Sequence, residues 1–157
     1  MVELLKLLED DAALSAAQLA AILGLPESEV REKIKKFEDD GTLLGYKTII
    51  NWERTEREFV TALIEVKVIP DMTHGFESVA RQIWNYDEVT SVYLMSGGFD
   101  LAVIIEGHTL REVALFVAEK LACIGAVSAT ATHFILKKYK DKGIVFAEQE
   151  SDSRGLL

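Results

Sequence analysis

The chain has 157 residues, is 49% hydrophobic and 27% charged, and carries a formal net charge of −9. It is long enough for one domain or two small ones, and no apolar run approaches the roughly 20 residues that would span a bilayer, so no membrane partner is expected. Six basic and ten acidic residues lie through Ile50 and eleven against sixteen beyond it, which disfavours indiscriminate affinity for nucleic acid.

Met1 to Leu8 lacks the basic region and cleavage site of a signal peptide, so a cytoplasmic location is expected. A single cysteine, Cys123, excludes an internal disulfide, and its place between Leu121 and Ile124 suggests buried filler. His74, His108 and His133 are scattered without ligand spacing, so neither metal nor cofactor is expected.

The front third reads as three short helices. Val2, Leu5 and Leu8 recur at helical spacing; Ser15 with Gln18 is a capping-box signature opening Ala16 to Leu23, and Gly24 ends that helix. After Pro26, a third helix places Val30, Ile34 and Phe37 on one face and stops in Asp39, Asp40 and Gly41. Leu43 and Leu44, a turn at Gly45, and Tyr46 to Ile50 suggest a short hairpin, a wing, before the polar connector Glu53 to Glu58.

Beyond it the period changes. Phe59 to Ile69 is dense in β-branched residues and ends at Pro70, which predicts a strand. A helix follows over about Thr73 to Trp84, then strands over Val89 to Met95 and Phe99 to Glu106 around Ser96, Gly97 and Gly98. A second helix spans about Leu110 to Ile124 with Thr109 as N-cap, and Val127 to Tyr139 alternates as a last strand. The order βαββαβ places four antiparallel strands under two helices and leaves one sheet face for something else to cover. In the acidic tail from Asp141 to Leu157 only Ile144, Val145 and Phe146 are apolar, and either disorder or docking on a partner subunit fits them.

Two helices joined at Leu23, Gly24 and Leu25, the second with basic side chains outward, meet the requirement for entering a DNA major groove. With Val30, Ile34 and Phe37 inward, the outward set includes Ser28, Arg31, Glu32, Lys35 and Lys36; Glu29, in the first turn, would repel phosphate and could only accept from a cytosine amino group. A three-helix protein-binding module accounts for the same pattern. In the rear half, Ser96 to Asp100 offers backbone N–H groups at Gly97 and Gly98 for a carboxylate, and Asp100 as acceptor for an ammonium. The same residues would also serve simply to close a hairpin, with Asp100 capping it.

Leu19 Ala20, Leu23 Gly24 Leu25, Ser28, Val30, Ile34, Phe37 Glu38, Gly41 and Leu44 Gly45 Tyr46, followed by Val92 to Gly97 and Phe99 Asp100 Leu101, resemble in order and spacing the leucine-responsive regulatory protein and asparagine synthase regulator (Lrp/AsnC) family. The resemblance covers nearly the whole chain. It implies an α+β protein: a winged helix-turn-helix DNA-binding domain (1–52), a linker (53–58), a ferredoxin-like α/β sandwich of the RAM/ACT type for oligomerisation and effector binding (59–140), and a tail (141–157). It further implies double-stranded DNA as partner, a homodimer through the rear sheets gathered into tetramers or octamers, and an amino acid or related metabolite bound between dimers. Carried onto this sequence, the DNA-binding set is Ser28, Glu29, Arg31, Glu32, Lys35 and Lys36. The effector set is the turn Ser96, Gly97, Gly98 and Asp100 with Tyr93 and Met95, joined by Thr130, Thr132 and His133. The chain departs from the family at Pro26, where a serine usually caps the recognition helix, and at Glu29. An effector-sensing partner of related regulators is the alternative reading; nothing in the residues suggests catalysis.

Overall fold

The computed structural model describes residues 2–69 and 75–146. The chain divides into two compact units, Met1–Ile50 and Asn51–Leu157.

In the first unit, α1 (Val2–Asp10) buries Leu4 and Leu8, one helical turn apart. Helix α2 (Ala16–Leu23) opens on a reciprocal cap: the Gln18 amide donates to Ser15 Oγ at 3.3 Å and the Ser15 amide to Gln18 Oε1 at 2.8 Å, satisfying two otherwise orphaned donors. Gly24 ends it in the left-handed region, at φ 65°, with its N–H on the Ala20 carbonyl. Only glycine adopts that conformation without a Cβ penalty. Gly24→Ala is expected to cost about 1 kcal/mol and lower the unfolding midpoint of this unit by a few degrees, checked by thermal melting followed by far-UV circular dichroism.

Helix α3 (Glu27–Asp39) buries Val30 and Phe37 against Leu4, Leu8, Leu19 and Ala20, with Ile34 half-buried beside them. The stripe read from the sequence therefore faces the core as expected. The wing differs. Residues 43–50 run without strand pairing, held at their start by the Leu43 amide on the Phe37 carbonyl at 2.8 Å, while Leu44 is 92% exposed. A two-residue first limb with one side chain anchored is too short to sustain a ladder by itself.

The second unit begins with a 3₁₀ turn at Trp52–Arg54, followed by β1 (Val60–Val68), α4 (Gly75–Trp84), β2 (Val89–Leu94), β3 (Leu101–Gly107), α5 (Leu110–Phe116) and β4 (Val127–Ile135). The expected helix start at Thr73 and strand stop at Pro70 lie outside the described residues. The sheet is antiparallel in the order β2-β3-β1-β4, so β2 and β4 form its edges. Ala62, Ile64 and Val66 pair with Ile105, Val103 and Leu101; this face is buried beneath Val79 and Ile83 of α4 and Val113 and Phe116 of α5. The opposite face carries Thr61, Leu63, Glu65 and Lys67, flanked by Ala131 and His133 of β4 and Ile104 of β3. Both helices of this unit pack on the other side, so within the described residues of the unit this face is left open, as the alternation required.

Helix α5 continues into one π turn, Val117–Leu121, closed by the Ala122 amide on the Val117 carbonyl at 2.8 Å. The helix ends with that turn, and residues 122–126 run as turns and a bend, with Leu121 and Ile124 in the core. Cys123 is exposed, contrary to the expectation of buried filler, because it falls past the end of a helix expected to reach Ile124. Lys120 is released to pair with Glu88. Its hydrogen bond holds the Glu88 carboxyl below the ordinary glutamate range, outweighing desolvation. The folded chain therefore binds this proton less readily than the unfolded one. The stabilisation is present above the ordinary glutamate pKa, near 4.3, and is lost as pH falls through the lowered value. Both partners are more than a third exposed, so Glu88→Gln is expected to cost only a few tenths of a kcal/mol at pH 7 and progressively less as pH falls below the ordinary glutamate range, read from urea unfolding across that range.

After β4 the chain forms a small hairpin, β5 (Lys140–Asp141) with β6 (Ile144–Val145). Its two-residue turn has both φ values positive, Lys142 at 45° and Gly143 at 84°, the arrangement that matches strand twist. The Phe146 amide closes it on the Tyr139 carbonyl at 2.9 Å. The expected last strand to Tyr139 thus stops at Ile135, and the start of the expected tail is ordered; 147–157 lie outside the described residues.

Candidate functional site

Two regions carry chemistry, one in each unit. On α3, Ser28, Arg31, Glu32, Lys35 and Lys36 are exposed and Glu29 is half-buried. The helix holds five acidic and four basic side chains, and most cations already have an acid one turn away. Arg31 Nε donates to Glu27 Oε1 at 2.9 Å, Lys33 pairs with Glu29, and Lys35 lies 3.0 Å from Asp39. Lys36 forms no ion pair among the described residues. Such exposed pairs are worth about 0.3–0.5 kcal/mol each, so a phosphate oxygen displaces them readily. Pro26 supplies no side-chain cap; its carbonyl accepts from Glu29 and Val30 at 3.1 and 3.2 Å. The first-turn N–H groups are therefore not consumed by a capping hydroxyl.

Beyond α3, Lys47 is exposed, an isolated cation that spacing could not mark out. Nearby, burial and the adjacent Glu38 carboxylate raise the Tyr46 phenol above its ordinary pKa, so Tyr46 stays neutral in the physiological range.

In the second unit the turn between β2 and β3 is fixed by Asp100. Its carbonyl accepts from the Met95 amide at 2.8 Å and its amide donates to the Val66 carbonyl at 3.0 Å. One carboxylate oxygen, Oδ2, accepts from the Val68 amide at 2.8 Å. The cause is strand length: β3 begins only at Leu101, so β1 outruns its partner and the Val68 N–H has no strand carbonyl opposite. Asp100 supplies the missing acceptor, so its side chain caps β1 rather than, as weighed from the sequence, its own hairpin. Ser96, Gly97 and Gly98 stand exposed beyond it. Gly97, at φ 147°, has a conformation that favours glycine; Gly98 is not at positive φ.

The other expected effector residues divide. Tyr93 pairs with Ala102 and is 56% exposed on the open face of edge strand β2; Met95, exposed, follows it. Thr130 and Thr132 lie opposite Val66 and Ile64, hence on the helix side of the other edge strand. Alternation alone could not choose their face. Two strand spacings, roughly 10 Å, separate β3 from β4 across β1. His133 is on the open face, its Nε2 3.1 Å from Glu65 Oε1. One chain thus brings Asp100 together with the turn, but not Tyr93 with the two threonines.

A helix-turn-helix with an exposed polar second helix, followed by a βαββαβ domain with an open sheet face and a glycine turn, defines a two-domain DNA-binding transcriptional regulator. Residues 2–43 match the winged helix-turn-helix DNA-binding family and residues 61–145 the Lrp/AsnC ligand binding domain. The chain is 42% identical over 153 residues to the uncharacterized HTH-type transcriptional regulator YugG of Bacillus subtilis, covering 97% of this chain and 92% of that protein. It is 24% identical to the proline dehydrogenase transcriptional activator of Rhizobium radiobacter, over 91% of each. Its fold matches that of a Neisseria meningitidis transcriptional regulator solved as a complex with L-Met, with a TM-score of 0.72 at 21% identity over 89% of this chain and 90% of that one. The chain belongs to the Lrp/AsnC family of transcriptional regulators.

Proposed function

We propose that this regulator is a cytoplasmic, non-enzymatic homodimer, assembling further to a tetramer or octamer, that reads specific double-stranded DNA and responds to an amino acid or related metabolite bound where copies meet. The observation that carries the reading is the turn Ser96 to Gly98, its backbone exposed and its foot anchored by three hydrogen bonds at Asp100. N–H groups on an exposed, anchored turn suit a carboxylate, and a neighbouring aspartate suits an ammonium. Tyr93 and Met95 flank that turn. Because Thr130 and Thr132 sit on the far edge strand facing the helices, we assign them to packing, and the remaining wall of the pocket to another copy.

Major-groove contact falls to Ser28 and Glu29 at the start of α3, with Arg31, Glu32, Lys35 and Lys36 along it. Two-fold pairing through the open sheet face would space two such helices along a duplex, which one copy cannot do. Footprinting on the DNA flanking its own gene tests the proposal. Protection at low salt that changes on adding one of the common amino acids is expected; no protection at low salt, with or without them, overturns it. The self-paired cations of α3 favour a second reading, an effector-sensing partner of related regulators with little DNA affinity, for which co-purification of a basic paralogue is the corresponding result.

A further inference from the structure

The C-terminal hairpin is unlike the rest of this acidic chain. Lys137, Lys138, Lys140 and Lys142 stand against a single Asp141 between Lys137 and Lys142. Lys138 alone of them pairs with it, at 3.2 Å. The same short segment leaves Leu136 94%, Tyr139 67%, Ile144 50% and Val145 62% exposed. Water-facing apolar side chains concentrated in one basic hairpin mark a contact surface.

A matching groove lies in the same domain. The end of β3, the start of β2 and α5 enclose about 550 Å³, with Ile105, Val113, Leu115 and Phe116 contributing apolar wall. Its rim is acidic: Asp87, Glu106, Glu112 and Glu119 border it, against His108 and a Lys120 already held by Glu88. Apolar wall meets the apolar limbs of the hairpin, and the carboxylates outnumber the cations in the groove where the hairpin has the reverse excess. Charge complementarity of this kind fixes register and partner.

We propose that the hairpin Tyr139–Phe146 of one copy seats in the acidic groove of a second copy, and the second copy's hairpin in the groove of the first, a closed two-fold exchange. It rests on the reading that copies assemble through this domain and names a contact separate from the open sheet face.

The test is reciprocal charge reversal in the full-length chain, with self-association measured by sedimentation equilibrium at low and high salt. K140E/K142E and D87K/E119K are each expected to weaken association at least tenfold at low salt. The four changes combined are expected to restore it to within about threefold. Loss without restoration, or no loss, overturns the exchange. L63R, which places a charge on the open sheet face rather than in the hairpin or the groove, separates the two readings. If it dissociates the assembly while the charge reversals leave it intact, the sheet-face dimer stands and the hairpin exchange falls. A wild-type chain that is monomeric at all concentrations overturns both.

Discussion

Replacing Arg31, Lys35 and Lys36 together with alanine is expected to weaken DNA binding about a hundredfold near 0.1 M salt and to flatten its salt dependence. Each side chain that neutralises a phosphate releases counterions, and its loss reduces the slope of log affinity against log salt by about one per reading helix engaged. All three are exposed on the outer face of α3, away from the buried stripe of Val30 and Phe37, so the fold itself should hold. The ion pairs of Arg31 with Glu27 and Lys35 with Asp39 make the complementary change informative. Glu27→Gln frees Arg31 and removes a negative charge from the first turn, and should tighten binding severalfold. Fluorescence anisotropy across a salt series checks both. A triple variant whose slope matched wild type would remove α3 as the phosphate-contacting helix.

Asp100→Ala is expected to destabilise the second unit by about 1.5–3 kcal/mol. It strips the acceptor from the Val68 amide at the point where β1 runs past β3, and hydrogen bonds to charged groups contribute about 1.5–3 kcal/mol. Asp100→Asn keeps an oxygen in the same place and should cost less than about 1 kcal/mol. The pair therefore separates two jobs. If Asp100→Asn unfolds at nearly the wild-type urea concentration yet no longer responds to the amino acid, the carboxylate charge itself is read by the ligand. If it retains the response, the residue serves only to hold the turn.

Both candidate regions can be located from the residues, but only part of their geometry can. The apolar stripe of α3, the capping pair Ser15 and Gln18 and the Gly24 stop are local signals, legible because one helical turn contains the whole interaction. The strands of the second unit are legible for a similar reason, through β-branched density and alternation. The features that escape depend on contacts distant in sequence or on where an element ends. The helix after Thr109 ends at Leu121, short of the expected Ile124, so the apolar neighbours of Cys123 suggest burial for a residue that sits in an exposed turn. The resemblance groups Thr130 and Thr132 with Tyr93, and alternation gives two faces without saying which is covered; only their register against Ile64 and Val66 decides it. The bond from Val68 to Asp100 joins residues 32 apart, and no spacing rule connects them. The C-terminal hairpin turns at Lys142 and Gly143, where a lysine with positive φ hides the usual asparagine–glycine signal.

The order β2-β3-β1-β4 has a practical consequence for anyone handling this polypeptide. Apart from His133, neither outer strand, Val89–Leu94 nor Val127–Ile135, bears an acidic or basic side chain of the kind that usually guards an unpaired margin, and only local register shifts, at Val89/Ser91 on one side and opposite Lys67/Val68 on the other, interrupt them. Bare margins of threonine, alanine and valine template further strands. Preparations in which those margins stay unpaired should therefore precipitate as β-rich material, read from light scattering and far-UV circular dichroism.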